Sequence, residues 1–193
     1  VTWAIGELDF TSITAYTGVE RLQQEDADMN PFLGSGQDLS FIAPTFAAIQ
    51  LEDISAPRCF EVEERLQAML DIPVMHDDQH GTAVVSIAAL MVAANQTGMD
   101  IHKAAIGQIG LGAAGNAIGK MIMLLTGNPV LGADLNEDAV TRFEREGGVK
   151  SNLKEIMSGC DIVIATTGAP NLIKPEMVRK GQVILALSNP KPE

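Results

Sequence analysis

The segment His76-Asp77-Asp78-Gln79-His80-Gly81-Thr82, with Glu52-Asp53 upstream, holds the residue types best able to do chemistry. Four carboxylates fall in two adjacent pairs, each near a short apolar run, Phe46-Ala47-Ala48-Ile49 and Ile72-Pro73-Val74-Met75. Such runs read as buried strands of a parallel sheet, whose ends converge on a crevice. Adjacent anions in a crevice repel unless a cation neutralises them, and donors that are all carboxylates suit Mg²⁺ or Mn²⁺. Taken alone, Glu52-Asp53 reads as a pair of solvated loop acids, because short motifs often match by chance. A nucleotide signature downstream tips the balance toward a metal. His76 and His80 could suggest zinc, but no cysteine accompanies them and the neighbouring donors are carboxylates.

That signature is Gly110-Leu111-Gly112-Ala113-Ala114-Gly115, a GxGxxG loop. It follows the strand-like Ala105-Ile106-Gly107-Gln108-Ile109 and opens an apolar helix, Ala117 to Leu125, which is the context a dinucleotide site requires. Gly110 permits a tight turn, Gly112 lets a pyrophosphate approach the backbone, and Gly115 lets helix and strand pack closely. The helix N-terminus adds partial positive charge for the phosphates. Asp134 ends the next strand, 19 residues beyond Gly115, where an acid accepts hydrogen bonds from ribose hydroxyls and repels a 2′-phosphate. No Arg or Lys follows before Arg142, so NAD is expected rather than NADP. The plainer alternative is that Asp134 caps the helix starting near Asn136. Thr166-Thr167-Gly168, after a later strand, is expected beside the same crevice, its small residues suiting approach to the cofactor ribose or simply making a turn.

The elements that must position these groups follow from periodicity and breakers. Strands are expected at Ala47–Leu51 and Pro73–Met75, with a helix over Pro57–Leu70 between them. The helix Thr82–Gln96 is apolar nearly all round, which predicts burial between layers. Then come strand Ala104–Gly110, helix Ala113–Leu125, strand Pro129–Asp134, helix Glu137–Glu146 and short helix Leu153–Ser158. Strand Asp161–Thr166, helix Pro175–Arg179 and strand Gln182–Ser188 complete the series. Asn152 with Glu155 fits a capping box. This alternation specifies an α/β fold, a doubly wound parallel sheet of the Rossmann type with right-handed crossovers. Residues 1 to about 40 carry no motif.

Composition bounds the partners. At 193 residues and 46% hydrophobic, the chain buries one good core, or one domain and part of another. A net charge of −12 argues against nucleic acid or an anionic membrane. Cys59 and Cys160 are too few and too far apart for a disulfide framework, and both sit in apolar stretches as buried thiols. The longest apolar stretch, Ala83–Ala94, is too short to span a bilayer, and no signal peptide is visible. A soluble, cytoplasmic protein is expected. The start at Val1 and the stop after a strand-like run suggest a longer parent.

From about Ile42 to Glu193 the sequence resembles the bacterial malic enzyme family. The resemblance runs through Ala43-Pro44-Thr45-Phe46, Leu51-Glu52-Asp53-Ile54-Ser55-Ala56-Pro57, the His76–Thr82 string, the glycine loop and Leu187-Ser188-Asn189-Pro190. It implies oxidation of L-malate by NAD and decarboxylation to pyruvate with Mg²⁺ or Mn²⁺, in a parent that is a homodimer. By motif, Glu52, Asp53 and Asp78 are the implied metal ligands, and Asp77 a catalytic carboxylate that orients the site. Asn189 is implied near the substrate carboxylate and nicotinamide, with Thr82 near the cofactor. Residues 1–80 are then a remnant of the N-terminal catalytic domain, and residues 81–193 the NAD-binding domain.

The sequence also departs from the family. The family's catalytic tyrosine and lysine lie in its N-terminal domain, whereas this chain has no lysine before Lys103, and Tyr16 lies in no family motif. Lys103 itself is expected away from the C-terminal ends of the strands. Two other readings stay open. Asp161–Gly168 and Lys174–Val178 also resemble one-carbon or homocysteine-type NAD enzymes, though those have no use for paired acids. The missing lysine also leaves room for a non-catalytic dinucleotide-binding module.

Overall fold

The computed structural model describes residues 2–5, 8–11, 48–188 and 191–192. Tyr16 and Asn189 lie outside these residues, as does Ala47 at the start of the first expected strand. The chain divides into two compact units, one of residues 1–51 and 61–75, the other of 52–60 and 76–193.

The first unit holds an antiparallel hairpin, β1 (Thr2–Ile5) and β2 (Leu8–Thr11), in a stretch where no element is legible from sequence. It also holds most of a second pair, β3 (Ile49–Leu51) and β4 (Val74–His76), with the Ile49 N–H donating to the Pro73 carbonyl at 2.8 Å. Between them runs α1 (Arg58–Met69), beginning one residue after Pro57. Its Gln67 side chain donates to the Val74 carbonyl at 2.9 Å, pinning the return strand.

The second unit carries a five-stranded parallel sheet in the order β7-β6-β5-β8-β9. Its strands are β5 (Ile106–Ile109), β6 (Leu131–Ala133), β7 (Val149–Lys150), β8 (Ile162–Ala165) and β9 (Val183–Ala186). The two-residue β7 has no sequence signal, since both of its residues are exposed. Side chains alternate along a strand, so a sheet covered on both faces needs apolar residues at every position. The Ile-Val-Ile-Ala run of β8 meets that need. Ile162 and Ile164 join one core with Leu90, Ile118, Ile122 and Phe143, while Val163 and Ala165 join another with Ile156 and Met157.

The covering helices are α2 (Asp77–Thr97), α3 (Ala113–Thr126), α4 (Glu137–Arg145) and α5 (Leu153–Gly159). Helix α2 departs from expectation twice. It starts five residues before Thr82, directly on β4, which puts Asp77 and Asp78 in its first turn, where carboxylates suit the helix dipole. It is also not buried all round. Ala83, Ser86, Ile87, Leu90 and Ala94 face inward at helical spacing, whereas Val84, Val85, Met91 and Val92 are exposed. Neither of the described helices α2 and α3, nor any other, is long and apolar enough to cross a membrane.

Caps fix the remaining ends. The Asn136 side chain accepts from the N–H groups of Asp138 and Ala139, and the Asn152 side chain accepts from the Glu155 N–H at 3.0 Å. The capping box is only half made, because the Glu155 carboxylate accepts from the Ser151 hydroxyl at 2.9 Å. Pro175–Met177 forms a single 3₁₀ turn in place of the expected helix, too short a span of helical pattern to propagate.

Candidate functional site

Strand order reverses at β5, with β6 on one side and β8 on the other, and the glycine loop lies at this switch point. Gly110 takes φ +86°, its N–H donates to the Ala133 carbonyl at 2.8 Å, and a Cβ there would sit 2.7 Å from the Thr166 carbonyl oxygen. A Cβ on Gly115 would come to 1.9 Å from the Gly110 oxygen, so only glycine lets α3 dock on β5. Gly112 differs. It is the N-cap of α3 with no side-chain cap, and a Cβ there would meet nothing within 4 Å. The N-terminus of α3, with Ala113 and Ala114 in its first turn, thus has no side-chain cap and has open space beside Gly112, at the positive end of a helix dipole. A pyrophosphate fits there in both charge and room.

Asp134 follows β6 and holds this loop. Its Oδ2 accepts from the Leu111 N–H at 2.6 Å and its Oδ1 from the Asn136 N–H at 2.8 Å. The helix cap proper is Asn136, so the plainer reading of Asp134 as the α4 cap does not hold. Across the crevice, the Thr166 hydroxyl accepts from Gln108 Nε2 at 2.9 Å and itself lies 3.3 Å from the Gly110 carbonyl. The Thr167 hydroxyl accepts from the Ala169 N–H, and Gly168, at φ +65°, donates its N–H to the Ser188 hydroxyl. Gln108 escaped the sequence reading. It is fully buried in the central strand, and its amide also donates to the Gly110 carbonyl at 3.0 Å, tying strand, loop and Thr166 together. A polar residue inside an otherwise apolar strand is the signal that marks it. Asn116 plays a similar part, donating to the Leu111 carbonyl at 3.2 Å.

A cavity of about 590 Å³ opens beside the loop, lined among others by Pro57, Gly112, Asp134, Asn136, Arg142 and Arg145. That volume lies within the range of small-molecule and cofactor sites.

The acidic pairs sit apart from this cavity. Asp78 and His76 lie at the junction of β4 and α2, with His76 Nε2 3.5 Å from the Asp78 carboxylate. The Ile54 N–H donates to the same His76 Nε2 at 3.4 Å, so that nitrogen is an acceptor toward the segment after Asp53 and Asp78 lies beside it without a hydrogen bond from it. Glu52 and Asp53 are exposed, and Asp53 holds φ +55°, a left-handed conformation that costs a non-glycine residue about 1 kcal/mol or more and often marks functional loops. The Asp77 carboxylate lies over Gly81, where a Cβ would come within 2.1 Å of it. Thr82 stands in the second turn of α2, half-buried, its carbonyl accepting from Ser86 Oγ at 2.6 Å. Among the described residues no three Asp, Glu, His or Cys side chains converge as a metal cluster. Donor chemistry fits a hard divalent cation; a closed ligand set is not on view. Lys103 is exposed, pairs with Asp100 at 3.1 Å, and precedes the N-terminal end of β5, far along the strand from the glycine loop.

No protein-family model matches the chain. It is 60% identical over 153 residues to NAD-dependent malic enzyme 1 of Bacillus subtilis, covering 79% of this chain and 35% of that protein. The NAD-dependent malic enzyme of Geobacillus stearothermophilus is 38% identical over 174 residues, covering 81% of this chain and 36% of its own length. Over the matched segment the chain is similar to malic enzymes. Its fold agrees: the crystal structure of an NAD-dependent malic enzyme from Thermotoga maritima superposes with a TM-score of 0.69 at 29% identity, covering 94% of this chain and 56% of that one. The chain thus spans about 35% of the length of these two malic enzymes. Relatives named NADP-dependent malic enzyme also match, one from Rhizobium meliloti at 35% identity over 168 residues.

Proposed function

We propose that the protein of which this chain is part oxidises L-malate with NAD and decarboxylates the product to pyruvate and CO₂, using Mg²⁺ or Mn²⁺. The carrying observation is 60% identity to an NAD-dependent malic enzyme across the stretch that holds the glycine loop and both acidic pairs. Residues 81–193 supply the NAD-binding domain, and residues 1–80 belong to the catalytic domain. Gly110, Gly112, Ala113, Ala114 and Gly115 receive the pyrophosphate, Asp134 the adenosine ribose, and Thr166, Thr167 and Gly168 line the other wall. By motif, Thr82 and Asn189 are assigned to the nicotinamide.

Glu52, Asp53 and Asp78 hold the cation, with Asp77 orienting them and Asn189 facing the substrate carboxylate. When bound, the cation supplies the positive charge that acidifies the malate hydroxyl and then draws electrons from the keto oxygen as CO₂ leaves. The Ile54 N–H on His76 Nε2 joins the segment after Asp53 to the residue before Asp77. The substrate is a small molecule, and a dimer in the cytoplasm is the expected setting. The paired acids favour this reading over a one-carbon or homocysteine-type dehydrogenase, which needs no such cluster.

The lysine that handles the hydroxyl proton has no candidate before Lys103, and Lys103 itself lies at the wrong end of the sheet. General acid–base groups typically contribute about 10²–10⁴-fold, so the chain alone should oxidise malate slower than its parent by about that factor. Oxaloacetate decarboxylation with Mn²⁺ should persist weakly. Absorbance at 340 nm with malate, NAD and Mn²⁺ measures the first, and pyruvate release the second. A parent protein that forms no NADH from malate would refute the proposal; an isolated chain as fast as its parent would refute the account of the lysine.

A further inference from the structure

Counted along the chain, Arg142 lies eight residues beyond Asp134 and looks remote from the ribose end of the cofactor. Helix α4 brings it back. Asp138, Arg142 and Arg145 recur at i, i+4 and i+7, one face of a helix, and all three line the cavity that Gly112 and Asp134 also line. The Arg142 guanidinium rests 4.4 Å from the centre of the Phe60 ring, a cation–π contact. Among the ion pairs of the described residues, neither Arg142 nor Arg145 is taken up by a carboxylate. Asp138 is the one acid that shares their helix face in the cavity.

The pyrophosphate has its own receptors in the open N-terminus of α3, so these cations are not needed there. Asp134 is anchored through both oxygens by backbone N–H groups, leaving further lone pairs and a full negative charge toward the cavity. A ribose phosphate placed by that carboxylate is repelled by it and attracted by two guanidinium groups, whose planar donors match phosphate oxygens in pairs.

We propose that Arg142 and Arg145 form a cationic wall at the adenosine end of the cavity, so that rejection of a 2′-phosphate rests chiefly on Asp134, the acid held at the glycine loop, with Asp138 adding to it from the arginines' own helix face. Neutralising the Asp134 charge turns the site toward NADP. The inference rests on the dinucleotide reading given above. It assigns cofactor choice to a balance between the acids Asp134 and Asp138 and two arginines rather than to an absence of cations.

Calorimetric titration of the full chain with NAD⁺, NADP⁺, 5′-ADP and 2′,5′-ADP tests it. The two ADP probes report the adenosine end without the nicotinamide. Wild type should prefer NAD⁺. Asp134→Asn keeps the side-chain shape and should raise the NADP⁺-to-NAD⁺ affinity ratio by about tenfold or more, the scale of removing one close unfavourable charge contact. Adding Arg142→Gln and Arg145→Gln should abolish that gain, and the 2′,5′-ADP to 5′-ADP ratio should follow the same steps. An unchanged ratio in Asp134→Asn, or a gain that survives loss of both arginines, overturns the inference while NAD⁺ binding leaves the dinucleotide reading standing. Wild-type protein that binds neither NAD⁺ nor 5′-ADP overturns both. Should Asp134→Asn fail to fold, Arg142→Gln/Arg145→Gln alone gives the answer. It must weaken 2′,5′-ADP more than 5′-ADP, and equal losses overturn the proposal.

Discussion

Gly112 and Gly115 sit three residues apart in one motif and do opposite things. Gly115 is a folding residue, because any Cβ would strike the Gly110 carbonyl and force α3 off β5. Gly112, proposed to receive the pyrophosphate, leaves open space where a side chain would stand. Gly115→Ala should therefore cost about 1–3 kcal/mol of stability, the usual scale of overpacking. Gly112→Ala should leave the melting temperature near wild type while weakening NAD by tenfold or more. Thermal unfolding and NAD titration on the same two variants check both halves. Comparable melting temperatures for the two would defeat the distinction. Cys160 shows the converse, a residue whose surroundings silence it. Burial pushes its thiol up to about 11, so it stays a neutral thiol through the physiological range, in line with its place in the second core.

At the scale of elements, α5 is the short helix on which one sheet face depends, since Ile156, Met157 and Cys160 build that core. A helix of seven residues is marginal by itself. Its open carbonyls are met from outside: the Arg179 side chain donates to the carbonyls of Met157 and Cys160, and the Gln182 amide donates to the same two at 3.1 and 2.8 Å. Hydrogen bonds from a charged donor are worth about 1.5–3 kcal/mol, less where solvent reaches them. Arg179→Ala should thus destabilise the chain by about 1–2 kcal/mol, with Arg179→Lys recovering part, read from urea midpoints at constant m-value. A midpoint unmoved by Arg179→Ala would show that Gln182 alone suffices. Helix α2 carries a different consequence of element-level accounting. Its early start converts Asp77 and Asp78 from strand-end residues into first-turn residues, which directs both acids to one end of the helix.

For the molecule as a whole, the acidic pairs are the place where stability and function should meet. The proposed ligands Glu52, Asp53 and Asp78 all carry the same charge, and like charges brought to one site need a cation between them. A ligand that binds the folded state alone stabilises it by RT ln(1 + [L]/Kd), about 2.7 kcal/mol at a hundredfold excess over Kd. Millimolar Mn²⁺ should raise the melting temperature of the wild-type chain, and Asp78→Ala should erase the rise. If wild type and variant respond alike, these carboxylates do not hold the metal.

The sequence alone determined the Rossmann half of this protein. Continuous apolar runs demanded a two-sided parallel sheet, and the spacing from Gly110 through Gly115 to Asp134 placed the cofactor loop, because those signals are local and periodic. The family likeness was also carried by contiguous strings such as His76–Thr82. Tertiary structure decided what depends on residues distant in the chain. Gln108 as the tie between loop and Thr166, His76 as the acceptor of the Ile54 N–H, and Arg142 over the Phe60 ring are contacts across 22 to 82 positions. No periodicity encodes such pairings. The exposed face of α2 belongs to the same class, since composition makes the helix apolar all round but only packing selects which side is covered. Sequence separation misplaced the arginines for the same reason: two turns of helix reverse an apparent distance that the linear chain makes look decisive.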